Sequence, residues 1–455
     1  MNNAESRLAA LGAAVPELLF PRKGIDLSKW AVIACDQGTQ DRPYWEQVRS
    51  IAGDAPSSLN LIYPEVYLEE PDKKERITAI HHTMNHYLEN DIFTVPQKTL
   101  VYLERDTPFH QSRRGLLAAL DLEAYDWKAD TSLKPPLIRP TEGTLPERLP
   151  SRMKIRCTAP LETPHILVLL DDEENTLLPA LAERAFSEQT KKLFYDTELM
   201  LGSGHVRGWK LDEEDDWEFL AAGLEKLAKK AAEKYGTPSA QTPFLFAVGD
   251  GNHSLAAAKG VWEEYKTAQR NDPNIMNHPA RWALVELENL YDPALSFEPI
   301  HRLLFGTDTD SVQQLLAQLP GYSCRKTESA SELEALVRDE NCDLLRLGLV
   351  SPLHCFLIEA WSVPLAVDVL QPLLDKYIEE QNGKVQIDYI HGSEELFRLT
   401  GRNGESSHVG ILLPPFRKQG LFETVAKRGP LPRKSFSMGE SCEKRFYLEC
   451  RKLFN

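Results

Sequence analysis

Phe244-Leu-Phe-Ala-Val-Gly-Asp-Gly-Asn-His-Ser-Leu-Ala-Ala-Ala-Lys259 is the stretch on which the reading of this chain turns. Phe244 to Val248 is an apolar run of the buried-strand type. Gly249-Asp250-Gly251 breaks it, and Asn252 to Lys259 opens an Ala-rich helix. A strand that turns tightly into a helix leaves the first helical N–H groups without internal partners and aims the positive end of the dipole outward. Such an end receives anions, and Gly249 and Gly251 let a phosphate approach the backbone closely. Asp250, at the strand's end, is suited to holding a metal or taking a proton. The same residues also describe a plain buried strand, a glycine turn and a helix capped by Asn252 or Ser254.

Outward from that turn, the densest group of polar residues runs from Pro135 to Asp172 and includes Arg139, Glu142, Arg148, Arg152 and Arg156. Its prolines argue against a continuous helix, so loop with strand is expected. Arginine forks fit phosphate or carboxylate oxygens, which points to a local anion pocket. The alternative is surface pairing with Glu142, Glu147 and Glu162, which stabilises little. Trp30 to Ala34 reads as a strand that delivers Cys35-Asp36-Gln37 into a loop. Asp36 is therefore a candidate base or metal ligand, or else a helix cap. The Gly-rich stretch Tyr195 to Gly208 carries His205 but matches neither GxGxxG nor a Walker loop. Phe297-Glu-Pro-Ile-His301-Arg302 places two more polar groups after a turn.

From about 305 strands and helices alternate as in an α+β or mixed-sheet unit, ending in a basic tail, Leu431 to Gly439. The expected organisation is an α/β core over 1–304 and a C-terminal α+β domain over 305–455. The fold class expected for the whole is α/β to α+β mixed.

With 455 residues, 42% hydrophobic and 26% charged, the chain has the composition of a soluble globular protein of two or three domains. A net charge of −16 argues against nucleic acid as a partner, because phosphate-backbone binding needs a basic face. Seven cysteines without ligand spacing fit a reducing cytoplasm better than a disulfide framework or a zinc site. No signal peptide is read, and apolar runs such as Ile166 to Leu170 fall far short of a membrane span. The expected location is cytoplasmic, with no membrane partner; self-association is left open.

Five motifs together carry a resemblance: Trp30-Ala-Val-Ile-Ala-Cys-Asp-Gln37, Asn60-Leu-Ile-Tyr-Pro-Glu-Val-Tyr-Leu68, Gly249-Asp-Gly-Asn-His-Ser254, Pro299-Ile-His-Arg302 and Pro432-Arg-Lys-Ser435. The chain resembles the bacterial family known as domain of unknown function 1015 over nearly its whole length. That family's Asp-Gly-His-His-Arg motif in turn is similar to the phosphate-binding turn of the ParB/sulfiredoxin superfamily, whose members bind nucleotides and include free-serine kinases. Asn252 stands where the motif has its first histidine and Ser254 where it has arginine. Arg139, Arg148, Arg152 or Arg156 then replaces the missing guanidinium, or else this branch binds something different.

The resemblance implies a ParB/sulfiredoxin-like nucleotide-binding core. It also implies a phosphotransferase moving a phosphoryl group from ATP or ADP, with Mg²⁺, to a hydroxyl metabolite such as free L-serine. The alternative it leaves is a non-catalytic nucleotide-binding regulator. On the first reading Gly249, Gly251, Asn252, His253 and Ser254 cradle phosphates, with Arg148, Arg152 and Arg156 beside them. His253 donates to an oxygen, Asp250 holds Mg²⁺ or orients the acceptor, and Asp36 or Glu142 is the general base. Arg139, His205, His301 and Arg302 are the candidate substrate residues.

Overall fold

The computed structural model describes residues 2–39, 41–128, 135–187, 193–235, 242–363, 365–400 and 408–454. It divides the chain into two compact units, 1–295 with 419–430 and 441–455, and 296–418 with 431–440. This differs from the expected halves at 304/305. That boundary falls inside the strand Phe297–Phe305, and the last fifteen residues belong to the first unit.

The first unit is built on a nine-stranded mixed sheet. Its strands are β1 (Ala13–Ala14), β2 (Leu100–Asp106), β3 (Arg113–Asp121), β4 (Ile138–Pro140), β5 (Leu167–Leu170), β6 (Leu193–Glu198), β7 (His205–Leu211), β8 (Phe246–Asp250) and β9 (Trp282–Asn289). The order across the sheet is β6-β7-β2-β3-β9-β5-β8-β4, with β1 beside β3. Two pairings are parallel, β9 with β5 and β8 with β4; the rest are antiparallel.

Both faces are covered, which is why these strands read as continuous apolar runs rather than alternating ones. Leu116, Ala118 and Leu120 face a core shared with Val285, Leu287, Phe246 and Val248. Leu117, Ala119 and Leu284 face a second core with Trp30, Val32, Trp45 and Phe446 to Leu448. The first core is roofed by helices α1 (Asn3–Ala10), α5 (Leu177–Phe186), α6 (Glu214–Tyr235) and α7 (Asn252–Ala268). The second is roofed by α2 (Arg42–Ala52), α3 (Lys73–Glu89) and the C-terminal tail. Each large apolar side chain so buried contributes roughly 1.5–3 kcal/mol.

The arginine-rich stretch departs from expectation. Between 135 and 156 the strand is Ile138–Pro140, and Leu149–Arg156 is a helix, α4, with proline in its first turn. Proline lacks an N–H that the first turn does not use, so it starts this helix rather than breaking it. Likewise Leu27–Trp30 is a short helical turn, and the strand after it is only Val32–Ile33.

The second unit carries an antiparallel sheet of β10 (Phe297–Phe305), β11 (Ser323–Lys326), β12 (Leu344–Val350), β13 (Cys355–Trp361), β14 (Gln386–His391), β15 (Val409–Leu412) and β16 (Phe436–Met438). Helices α8 (Thr309–Leu316), α9 (Ala330–Val337), α10 (Ala366–Glu380) and α11 (Ser393–Leu399) pack on it. The molecule is thus a mixed α/β protein with one large mixed sheet and one antiparallel sheet. Among the described residues no helix is long and apolar enough to cross a membrane.

Candidate functional site

Strand β8 ends at Asp250, Gly251 turns with φ +79°, and α7 begins at Asn252. A Cβ on Gly251 would lie 3.0 Å from Ile166 Cγ1 and 3.2 Å from Ile166 Cα, so both the backbone angle and the packing require glycine. Among the described residues no side chain caps the helix. The first bond back into the turn is Leu255 N to Gly251 O, which leaves the Asn252 and Ser254 N–H groups without partners among the described residues. Asn252 is only 9% exposed, and its Oδ1 has no hydrogen-bond partner among the described residues. Buried polar atoms are nearly always satisfied, so an orphan beside an open helix end marks a place for a ligand.

Three other segments converge on this turn. Antiparallel pairing sets Asp250 beside Leu167, so His165 and Ile166 pass next to the start of α7. His165 Nε2 lies 2.8 Å from Ser254 Oγ, and His165 Nδ1 lies 3.0 Å from Tyr447 Oη. The tail supplies Tyr447 through a two-residue strand, Phe446–Tyr447, paired with Val32–Ile33. Tyr447 Oη accepts from Cys35 N at 3.1 Å, which ties in the loop carrying Asp36. The sheet fixes the tail from beneath. Arg105 donates to the carbonyls of Cys442 (2.8 Å) and Lys444 (3.2 Å), Arg113 to that of Glu443 (2.9 Å), and Arg445 sits between Glu286 and Glu449.

Held this way, Lys444 Nζ reaches Asp250 Oδ2 at 3.1 Å, and Gly251 N donates to Asp250 Oδ1 at 2.9 Å. Burial pushes the Asp250 carboxyl up, but Lys444 and the Gly251 amide outweigh it and hold it below its ordinary value. Burial is also the main cause that lowers His165, against the nearby charges of Asp36 and Asp250. Arg152, on α4, pairs with Glu65, whose own amide donates to Cys35 O at 2.8 Å. Burial raises Glu65 despite Arg152. Burial likewise raises the Cys35 thiol well above its ordinary value, so this cysteine is not poised as a thiolate.

Of the residues singled out from sequence, the structure brings Asp36, Arg152, Asp250 and Ser254 near His165, with Asn252 at the start of the same helix. Arg148 begins α4, exposed, with its carbonyl accepting from Arg152. Arg156 instead pairs with Glu162 at 2.6 Å. His253 Nε2 accepts from Leu145 N at 3.1 Å, so that nitrogen fastens the 141–145 loop to the helix and is not a donor to a phosphate. Glu142 lies in that loop, next to Thr141, whose hydroxyl donates to Val248 O at 2.6 Å.

Other candidates are elsewhere. Arg139 packs on Phe244 (4.5 Å) and donates to Pro136 O, and burial pushes it down to about 10. Its backbone is in register with Ala247, three residues before Asp250, but the guanidinium packs on Phe244, ahead of the strand's start at Phe246. His205 pairs with Asp196 at 2.6 Å on β7, five strands from β8, about 24 Å at the usual spacing. His301 and Arg302 are buried in the second unit and satisfied within it. Leu413 N donates to His301 Nδ1, and Arg302 donates to Gln371, Ile300 O and Lys434 O.

The sequence reading missed His165, Lys444 and Tyr447, and quoted Glu65 only within a motif. No local spacing signals them; only the strand pairings do. No group of three or more His, Cys, Asp or Glu among the described residues is arranged to hold a metal ion. The carboxylate expected to take Mg²⁺, Asp250, is paired with an ammonium instead.

Among solved structures the chain is similar to a free serine kinase in complex with AMP, with TM-score 0.38 and 11% identity over 76% of this chain and 95% of that one. It is also similar to a mutant free serine kinase in complex with ADP (0.39, 10%, 76% and 95%). A third is C-terminally truncated SbnI from Staphylococcus aureus (0.34, 8%, 71% and 82%). No curated protein sequence matches the chain. The family model described as "Protein of unknown function (DUF1015)" matches residues 19–355, and with that span the chain belongs to the DUF1015 family.

Proposed function

We propose that the first unit is a nucleotide-dependent phosphotransferase acting on a small hydroxyl metabolite such as free L-serine. The observation that carries this reading is the open start of α7. Two free N–H groups and the orphaned Asn252 Oδ1 lie there beside the Lys444 ammonium. Phosphoryl transfer needs positioning and charge neutralisation above all, and this end supplies both. The nucleotide is ATP or ADP. Its phosphates accept from the Asn252 and Ser254 amides, Asn252 Oδ1 accepts from a ribose or acceptor hydroxyl, and Lys444 and Arg152 balance charge. Asp36 takes the acceptor's proton, for which it must come within hydrogen-bond reach of that hydroxyl. Magnesium would come in on the phosphates rather than on Asp250, whose carboxylate is already paired with Lys444.

The test is thermal shift with ADP, ATP and AMP, with and without Mg²⁺, followed by product detection across hydroxyl amino acids. A ligand that binds only the native state raises its melting temperature, by an amount set by concentration over Kd. Lys444→Ala is expected to lower nucleotide affinity at least tenfold. Wild-type protein that shows no shift with any nucleotide refutes the reading. The pairing of Asp250 with Lys444 favours the second reading, a nucleotide-binding regulator without catalysis; nucleotide binding without product would establish it.

A further inference from the structure

Ser254 is the third residue of α7, half-buried at the helix's open end. Its hydroxyl, His165 and Tyr447 form a continuous relay, 2.8 Å from Oγ to Nε2 and 3.0 Å from Nδ1 to Oη. Tyr447 is 2% exposed, and its Oη already accepts the Cys35 amide at 3.1 Å. When that oxygen also accepts from His165 Nδ1–H, Nε2 is left as an acceptor for the Ser254 O–H. A serine hydroxyl on the free nitrogen of an imidazole, whose other nitrogen is held by a third group, is the arrangement that removes a proton from a nucleophile. Nothing in a simple helix start requires it, because Ser254 caps no backbone group of its own helix.

We infer that Ser254 is itself phosphorylated, as a covalent station between nucleotide and acceptor. The inference rests on the nucleotide reading above. In the first step Ser254 Oγ attacks the terminal phosphorus of the nucleotide. The Oγ–P bond forms as the bond from that phosphorus to its bridging oxygen breaks. The bridging oxygen leaves with its electron pair on ADP or AMP, and the hydroxyl proton passes to His165 Nε2. In the second step the acceptor oxygen attacks the same phosphorus and the Oγ–P bond breaks. His165 returns its proton to Oγ, and the acceptor's proton goes to Asp36. The Asn252 and Ser254 amides at the helix start favour a phosphoryl group over an acyl group, and Lys444 and Arg152 would have to turn to it from Asp250 and Glu65, their partners in this structure. Tyr447 acts through His165 and is a positioning residue.

The experiment incubates the full chain with ADP or ATP labelled in the terminal phosphate, without acceptor, and maps the label by mass spectrometry after acid treatment. Acid-stable phosphate on the peptide containing Ser254 is expected, and an acid-labile adduct on a histidine would overturn the proposal. Ser254→Ala keeps the backbone N–H, so it should retain the nucleotide thermal shift while losing label and turnover. Tyr447→Phe should slow labelling at least tenfold and displace its pH profile, with nucleotide binding unchanged. Wild-type turnover without label, or turnover retained in Ser254→Ala, refutes the covalent station alone. Absence of nucleotide binding by wild type removes the underlying reading and this one with it.

Discussion

Replacing Gly251 by alanine tests the local architecture on which the proposed site depends. Two costs can be worked separately. The left-handed angle of +79° costs a residue with a Cβ about 1–2 kcal/mol. The added carbon would also sit 3.0 and 3.2 Å from Ile166 Cγ1 and Cα. Ile166 cannot retreat easily, since it is 6% exposed and its carbonyl accepts from Glu286 N at 2.9 Å. Overpacking of this kind costs roughly 1–3 kcal/mol. Alanine restricts the unfolded chain and returns about 0.4–1 kcal/mol. The expected loss is therefore about 1–4.5 kcal/mol, centred near 3. The angular cost alone, less what alanine returns through the unfolded chain, would come to about 1 kcal/mol. Urea titration followed by tryptophan fluorescence reads the first unit, which holds seven of the eight tryptophans. A shift in midpoint at constant m isolates stability. If Gly251→Ala costs no more than about 1 kcal/mol, the angular part alone, the close approach of the turn to Ile166 is refuted, and with it the geometry that brings His165 to Ser254.

Lys444→Met leaves the Asp250 carboxyl with burial as its main influence, so its pKa should rise. In wild type the folded value lies below the ordinary 3.8, so the pairing stabilises above that pH and is lost as pH falls through the folded value. The variant should lose stability at neutral pH, by less than the about 3–5 kcal/mol of a fully buried pair because Asp250 is a quarter exposed, and should regain it on acidification. A pH series of melting curves in which both proteins fall in parallel would show the pair to be inert. His301, lowered to about 3 chiefly by burial, gives the second unit stability that is complete above its ordinary 6.5 and is lost as pH falls towards 3. The slope is up to about 1.4 kcal/mol per pH unit. Hydrogen exchange at the Leu413 amide should accelerate accordingly, and His301→Gln should flatten that dependence; an unchanged slope would point to other titrating groups.

The strand, turn and helix around Gly251 could be read from the chain alone, because an apolar run, a glycine pair and an Ala-rich helix are contiguous and their signals are local. The alternation of strands and helices after 305 was legible for the same reason. The row Arg148, Arg152 and Arg156 was misread as loop, because proline's helix-breaking cost applies to interiors and these prolines open the helix. The company that turn keeps came from long-range folding. His165 meets Ser254 across 89 residues and Tyr447 meets His165 across 282, through strand pairings whose partners no spacing rule names. The return of 441–455 to the first sheet was equally hidden, since its anchors are buried arginines whose partners are backbone carbonyls and distant glutamates. Local chemistry made the helix end; long-range pairing chose the side chains that stand around it.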